Sequence, residues 1–560
     1  MLTAAEVGGR LESVWRRPLL QGRDYGLLAL LLVVGLVTHL WLVTHTAVPA
    51  RDSLGYARIA LNWSDPQAGW SGEGRRSRID VIRSAEQPPG YPLMIWLMDK
   101  GLRVWVSLPL TERVLLAAQS VNALSAVLLV IPMYLLGRML FGWQAAAAGT
   151  LLFQILPTPT RVTSDGVSEG LFLLLMGIAL ALGVWAVRRP LVSRFLLCGW
   201  MIGAAYLVRP EGLLLAATLA GVVLITGSGR PLKARLGWIT ALGVGVTLIG
   251  LPYMLLIGKL TNKPTGKHLT NPFNDQLPPI WRGQPLSHLS PFRWGGPGLW
   301  AEWWNPQQDA HRNRTAWALQ AVSKELIKSL HYGVAGFAAI GLAVLWRRLR
   351  RGEPGTFLLV ATGACYFGLL LYLAARIGYV SERHTLLLNM LGCLWAAVAI
   401  RPVADWLSTA PLIHHLVIWP QWMPLGLLSS LVVTAVPPTV QPLHNHREGH
   451  KQAGRWLASQ LQEQDWVVDP FCWAEWYAGR TLYRTTEYRG RPQRAWVVVE
   501  EGKASPHSRL PQWEQAQQLA RHGQAVFRWP PHANTDQPRV VVYRVDDVQA
   551  IQRILVTGRD

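Results

Sequence analysis

From Tyr25 to Val48 the chain carries no lysine, arginine, aspartate or glutamate. A helix crosses the hydrocarbon core of a bilayer with about 20 apolar residues. Inside that core every backbone N–H and C=O has to be satisfied within the segment. Ten further apolar stretches follow, at about 114–136, 143–158, 169–187, 195–208, 211–227, 237–258, 332–346, 355–375, 384–400 and 420–438. This pattern predicts a multi-pass α-helical membrane protein with about eleven spans. Half of the residues are hydrophobic and 16% are charged, against roughly 25% charged in soluble domains. The first run is too long for the apolar part of a signal peptide and is not followed by a small-residue cleavage pattern, so it is expected to be retained. Segments 143–158 and 195–208 are short and need neighbours to cover their ends.

The net charge is +21. Basic residues gather in alternate connections: Arg10, Arg16, Arg17 and Arg23; Arg138; Arg188, Arg189 and Arg194; Arg230, Lys233 and Arg235; Arg347, Arg348, Arg350 and Arg351; and Arg401. The positive-inside rule places these on the cytoplasmic side, with the N-terminus. Segments 49–113 and 259–331, and everything after about Gln441, then lie outside. The basic balance reads as membrane topology; no nucleic-acid motif accompanies it, so nucleic acid is not an expected partner. Cys198, Cys365, Cys393 and Cys472 form no CxxC pair, which argues against a disulfide framework or thiolate metal site. Residues 441–560 differ from the rest. "DWVVD", "RAWVVVE" and "PRVVVYRV" read as short strands, and "REGHKQAGRWLASQLQ" and "PQWEQAQQLARHG" as helices. The expected organisation is a membrane domain over 1–440 and a small soluble α/β domain over 441–560, outside the membrane.

Few ionisable residues fall deep within the apolar runs, where a transporter would place them. They collect at the outer helix ends. Asp52 and Tyr56, in "RDSLGYARIA", share one face of a helix, while Leu54, Ala57 and Leu61 form another face suited to lipid. Asp52 is either the partner of Arg51 on an interfacial helix or a carboxylate placed to deprotonate an acceptor hydroxyl. Glu86 precedes Pro88 and Pro89 in "SAEQPPGYPLMIW", a rigid turn that holds it in place or simply leaves it solvated. Asp165 and Glu169, in "RVTSDGVSEGLF", are four residues apart at a helix start, where Ser164 or Asp165 could serve as a cap. Arg209 and Arg383 sit at outer helix ends, where a guanidinium suits either a lipid phosphate or snorkelling. Trp294, Trp300, Trp303 and Trp304 suit interfacial anchoring, or stacking on a sugar.

The order of these motifs resembles that of the GT-C glycosyltransferases of the protein-mannosyltransferase and aminoarabinose-transferase type (glycosyltransferase family 39-like), over roughly residues 25–400. The carrying features are the Asp–x3–Tyr after the first span, the "EQPP" turn, "SEGLF", "GAAYLVRPEGLLL" and "ERHTLLL". The resemblance implies a GT-C fold, a polyprenyl-phosphate-linked sugar as donor, a membrane-lipid partner, an acceptor it does not specify, and inverting transfer at the outer face of a bacterial inner membrane. It implies that Asp52 is the base. Tyr56, Glu86, Asp165, Glu169, Arg209 and Arg383 are the expected substrate-binding residues, with the two arginines on the donor phosphate. Glu86 is similar to the metal-binding glutamate of aminoarabinose transferases, and His268 is its candidate partner on a divalent metal. Gln87 replaces the lysine of that family's Glu-Lys-Pro turn, and Asp52 stands alone where protein mannosyltransferases carry two adjacent acids. A transporter or flippase of lipid-linked sugar, and a non-catalytic membrane scaffold, are the competing readings.

Overall fold

The computed structural model describes residues 20–64, 77–227, 229–263, 301–304, 313–409, 420–462, 465–480, 493–502, 513–531 and 539–555. All eleven apolar segments lie on helices. Among the described residues, seven helical stretches are long and apolar enough to cross a bilayer: Gly22–Thr44, Leu110–Leu140, Glu169–Arg188, Leu232–Ile257, Pro354–Ile377, Glu382–Thr409 and Pro420–Thr439. An eighth arises if Arg314–Ser329 and Gly333–Arg350 count as one span bent by 108°. The expected count of eleven exceeds this for a geometric reason. Helices Trp143–Ile155, Val192–Val208 and Leu213–Thr226 have 13, 17 and 14 residues. At about 1.5 Å per residue each is shorter than an apolar core of about 30 Å. The bend of the eighth sits at His331 and Tyr332, whose φ angles of 53° and 49° take the chain out of helical geometry.

The two ends of the bundle differ in chemistry. At one end the basic connections meet. Arg138 Nε pairs with Asp24 at 3.2 Å, Arg188 Nε donates to Glu353 at 2.9 Å, and Arg188 and Arg348 donate to the Met139 and Leu140 carbonyls at 2.6 Å. These cations satisfy C-terminal helix carbonyls that would otherwise lack partners. At the opposite end lie helix Arg51–Ser64, the turn after Thr163 and the helix break at Arg209. Two short strands also form there: β1 (Ala301–Trp303) pairs antiparallel with β2 (Tyr379–Ser381), and β2 leads directly into Arg383.

The C-terminal region builds on that same end. Strands β3 (Trp466–Val468), β4 (Ala495–Glu501), β5 (Gln524–Trp529) and β6 (Arg539–Val545) form a sheet in the order β3-β4-β6-β5. The β3–β4 pair is parallel and the others are antiparallel. Strands β3, β4 and β6 lie at the three β-branched runs. Strand β5 escaped the sequence pattern because its register shifts between Ala525 and Phe527, which breaks the two-residue alternation. The sheet region is tied to the helices by backbone pairing of Leu443 with His45 and Ala47 (3.1 and 3.0 Å), by Trp476 Nε1 donating to the Thr111 carbonyl (3.0 Å), and by Arg455 on Glu112 (2.7 and 2.9 Å).

Candidate active site

Helix Arg51–Ser64 sets the geometry. Its apolar face (Leu54, Ala57 and Leu61, each at most 3% exposed) does not lie on lipid as expected. It packs against helices Gly90–Trp105 and Leu110–Leu128. Burial of this face fixes the rotation of the helix and leaves Asp52 on the open side, half exposed. There Arg383 donates through Nη1 to Asp52 Oδ2. Two residues 331 positions apart, both expected at the site, therefore meet. The Arg383 charge, aided by Arg51 and opposed by burial, holds the Asp52 carboxyl below its ordinary value.

One turn along, Tyr56 points inward. Its hydroxyl lies 3.2 Å from Ser168 Oγ and donates to Gln87 Oε1 at 3.5 Å, and its ring meets Tyr91 edge-on at 4.9 Å. Burial, then the Glu169 charge, push its pKa up to about 12, so it stays a phenol at neutral pH. The charges of Glu169, Arg209 and Asp52 all act on this hydroxyl. Asp52, Tyr56, Glu169, Arg209 and Arg383 are thus brought into one neighbourhood.

Glu169 opens helix Glu169–Arg188, where the helix dipole favours an acid. Its seat depends on Gly170. A Cβ there would meet the Asn122 carbonyl oxygen at 2.4 Å, so only glycine lets this backbone approach helix Leu110–Leu128. Glu169 Oε1 receives Arg209 Nη1 at 2.6 Å, and both side chains are buried. Arg209 stands where helix Val192–Val208 breaks into the short turn Pro210–Gly212. Burial alone would lower its pKa, but Glu169 and Glu211 outweigh burial and raise it, so it is a fixed cation. Its Nε is buried without a hydrogen-bond partner among the described residues. Glu211 also holds Lys263 Nζ at 3.0 Å, which adds a second cation beside Arg209. Sequence reasoning missed Lys263 and Glu211. The only local cue was "RPEG", two opposite charges across a proline-initiated helix break.

Asp165 departs from its expected geometry. It does not share a helix face with Glu169 and caps no helix, because Asp165–Ser168 is a turn ahead of the helix. Its Oδ1 accepts from Gly166 N at 2.7 Å and Ala50 N at 2.8 Å, and its Oδ2 meets His444 Nε2 at 2.7 Å. Burial opposes its ionisation, yet His444 and the Ala50 N–H more than compensate and hold its pKa below the ordinary value. Asp165 therefore anchors the start of the Asp52 helix and the approach to the C-terminal region at once. Glu86 is exposed and makes no hydrogen bond or ion pair with another described residue; its neighbour Gln87 is the one that reaches Tyr56. His268, Trp294 and Trp300 lie outside the described residues. Trp303 falls in β1, and Trp304 packs edge-on against Trp317 at 5.6 Å. Among the described residues, no three His, Cys, Asp or Glu side chains come together as a metal-ligand set.

The sequence profile of the dolichyl-phosphate-mannose-protein mannosyltransferases matches residues 87–253. No curated protein sequence matches the chain. Among solved structures, the chain is similar to ArnT from Cupriavidus metallidurans bound to undecaprenyl phosphate, with 16% identity and a TM-score of 0.56 over 93% of this chain and 99% of that one. It is also similar to the oligosaccharyltransferase AglB from Archaeoglobus fulgidus in complex with an inhibitory peptide and a dolichol-phosphate, with 13% identity and a TM-score of 0.53 over 92% and 75% of the two chains. A further match is the Archaeoglobus fulgidus oligosaccharyltransferase in complex with Zn and sulfate, with 14% identity and a TM-score of 0.50 over 92% and 73%. The resemblance to GT-C glycosyltransferases of the protein-mannosyltransferase and ArnT type therefore holds in sequence profile and in fold. The profile match covers residues 87–253, and the structural likenesses show the fold.

Proposed function

We propose that this protein transfers a sugar from a polyprenyl-phosphate carrier to an acceptor at the outer face of a bacterial inner membrane, with inversion at the anomeric carbon. The observation that carries this reading is the pairing of Asp52 with Arg383 beside the buried Arg209–Glu169–Glu211–Lys263 cluster. An acid that is ionised at neutral pH stands next to cations able to receive a phosphate. ArnT binds undecaprenyl phosphate and AglB binds dolichol-phosphate, which supports a lipid-linked donor.

In this mechanism Asp52 accepts the proton of the acceptor hydroxyl or amine as the acceptor attacks the anomeric carbon. The bond from that carbon to the carrier phosphate oxygen breaks, and the phosphate leaves with its electron pair. Arg209, Lys263 and Arg383 offset the charge that develops on it. Arg383 has a double task. In the structure it neutralises Asp52; once it turns to the phosphate, Asp52 loses its main cation and becomes the stronger base. Tyr56 and Glu169 position the sugar and Arg209 respectively, and Asp165 holds the helix that carries Asp52. Glu86 and His268 remain the candidate pair for a divalent cation. The described residues do not complete a ligand set around Glu86, and no step here passes through a metal. In this reading the C-terminal region, 441–560, lies outside the membrane and helps to select the acceptor.

The test is sugar transfer from a panel of polyprenyl-phosphate donors by the purified full-length protein. Product formation that requires Arg209 and Lys263 is the expected result. Carrier binding unaffected by Arg209→Gln and Lys263→Gln together would remove the cluster from donor recognition.

A further inference from the structure

In the reading above, the cations Arg209, Lys263 and Arg383 face the carrier phosphate. A different one, Arg447, comes from the C-terminal side, in the turn Asn445–Arg447 that precedes helix Glu448–Gln460. Its guanidinium lies 4.6 Å from the ring of Trp473, a side chain only 1% exposed. A rigid aromatic floor of this kind fixes a guanidinium plane and leaves its edge for ligands. Its Nε and Nη1 are buried and have no hydrogen-bond partner among the described residues. Leaving a buried donor unsatisfied costs about 1–3 kcal/mol, and more where the group is charged, so such atoms call for a reason.

The acids nearest in charge do not supply one. Asp165, Glu500 and Asp52 all act on Arg447, against the burial that draws it down to about 10, so it is a cation at neutral pH. Each of these acids already has a partner. Asp165 is held by Ala50 N, Gly166 N and His444; Glu500 receives His450 Nε2 at 2.7 Å; and Asp52 receives Arg383. A third buried nitrogen without a hydrogen-bond partner among the described residues, His444 Nδ1, lies three residues before Arg447. Arg51, on the same helix as Asp52, reaches across to Cys472 Sγ at 3.6 Å, one residue before Trp473. Two guanidinium groups, one from each side of this junction, therefore flank the Asp52 end of the site.

We infer that Arg447, seated on Trp473, forms an oxyanion subsite that binds an acidic group, a phosphate or a carboxylate, carried by the acceptor. The inference rests on the reading of Asp52 and the Arg209 cluster as a transferase site. It adds that the two substrates are held by separate cations: the carrier phosphate by Arg209 and Lys263, and the acceptor's acid by Arg447. Asp52 lies within electrostatic reach of Arg447, so an acceptor anchored there presents its nucleophile toward the base.

The test titrates full-length protein in nanodiscs with methyl phosphate and with acetate at fixed ionic strength, by calorimetry. Wild type is expected to bind methyl phosphate at two saturable sites. Arg447→Gln loses one of them, with affinity falling about tenfold or more for loss of charged hydrogen bonds. Arg209→Gln loses the other, which separates failure of this subsite from failure of the carrier reading. The probe that binds more tightly at the Arg447-dependent site identifies the acceptor's acid as a phosphate or a carboxylate. Retention of both sites in Arg447→Gln overturns the inference. If that variant does not fold, wild type alone decides. Phenylglyoxal modification of Arg447, followed by mass spectrometry, slows with whichever probe occupies the subsite. A rate unchanged by both probes overturns the inference equally.

Discussion

Arg383→Gln separates the chemistry of the site from its stability. The Asp52–Arg383 pair is only partly buried, with side-chain exposures of 50% and 24%. Solvent-screened pairs of this kind contribute about 0–1 kcal/mol to folding. The variant should therefore unfold within a few degrees of wild type. Its effect on transfer should be far larger. Loss of one donor to a charge developing in the transition state costs about 10²–10³ in kcat, or about 2.7–4 kcal/mol. The pH profile supplies a third readout. Arg383 is the main cause holding Asp52 below its ordinary pKa. In wild type the lowered pKa keeps the carboxylate ionised to lower pH than an ordinary aspartate, and the stabilising effect of the pair is lost progressively as the pH falls from the ordinary carboxylate value through the lowered one. Without Arg383 the Asp52 pKa rises, so the acidic limb of kcat/KM moves to higher pH. Transfer from a fluorescent polyprenyl-phosphate sugar across pH 3–8, alongside thermal unfolding in detergent, measures all three. An acidic limb that stays in place would refute the assignment of Asp52 as the titrating base. A loss of several kcal/mol of stability would refute the screened-pair estimate.

Other expectations concern the supporting residues. Glu169→Gln breaks a buried ion pair and leaves Arg209 with Glu211 at 3.6 Å; such losses cost about 3–5 kcal/mol, and the remaining partner points to the lower end, read as a drop in unfolding temperature that exceeds that of Arg383→Gln. Asp165→Asn weakens the bonds to Ala50 N and His444, each worth about 1.5–3 kcal/mol as a charge-assisted bond, and should open the chain near residues 441–447 to limited proteolysis. Arg455→Ala removes the contact with Glu112 from a side chain that is 48% exposed and should cost no more than about 1 kcal/mol, with the C-terminal region remaining protease-resistant.

The membrane helices were legible because apolar periodicity and length are local properties of the sequence. Asp52 and Arg383 were legible as charges at outer helix ends, but their contact was not, since nothing local encodes a pairing across 331 residues. The same limit explains His444, which meets Asp165 from 279 residues away. Helix-start spacing offered Ser164 or Asp165 as a cap and could not show His444 as the partner of Asp165. Lys263 and Arg447 lie in short polar stretches at the ends of elements, where a lysine or arginine looks like any solvated charge. From the sequence, Arg51 reads as a partner of Asp52 on an interfacial helix. Its guanidinium reaches Cys472 in the C-terminal region, so its reason lies 421 residues downstream.

The most direct test of the central claim is transfer by Asp52→Asn, an isosteric change that removes the base and keeps the shape. With carrier binding intact, the rate should fall about 10²–10⁴-fold. Transfer at the wild-type rate would contradict the account and leave Asp52 as no more than the partner of Arg383.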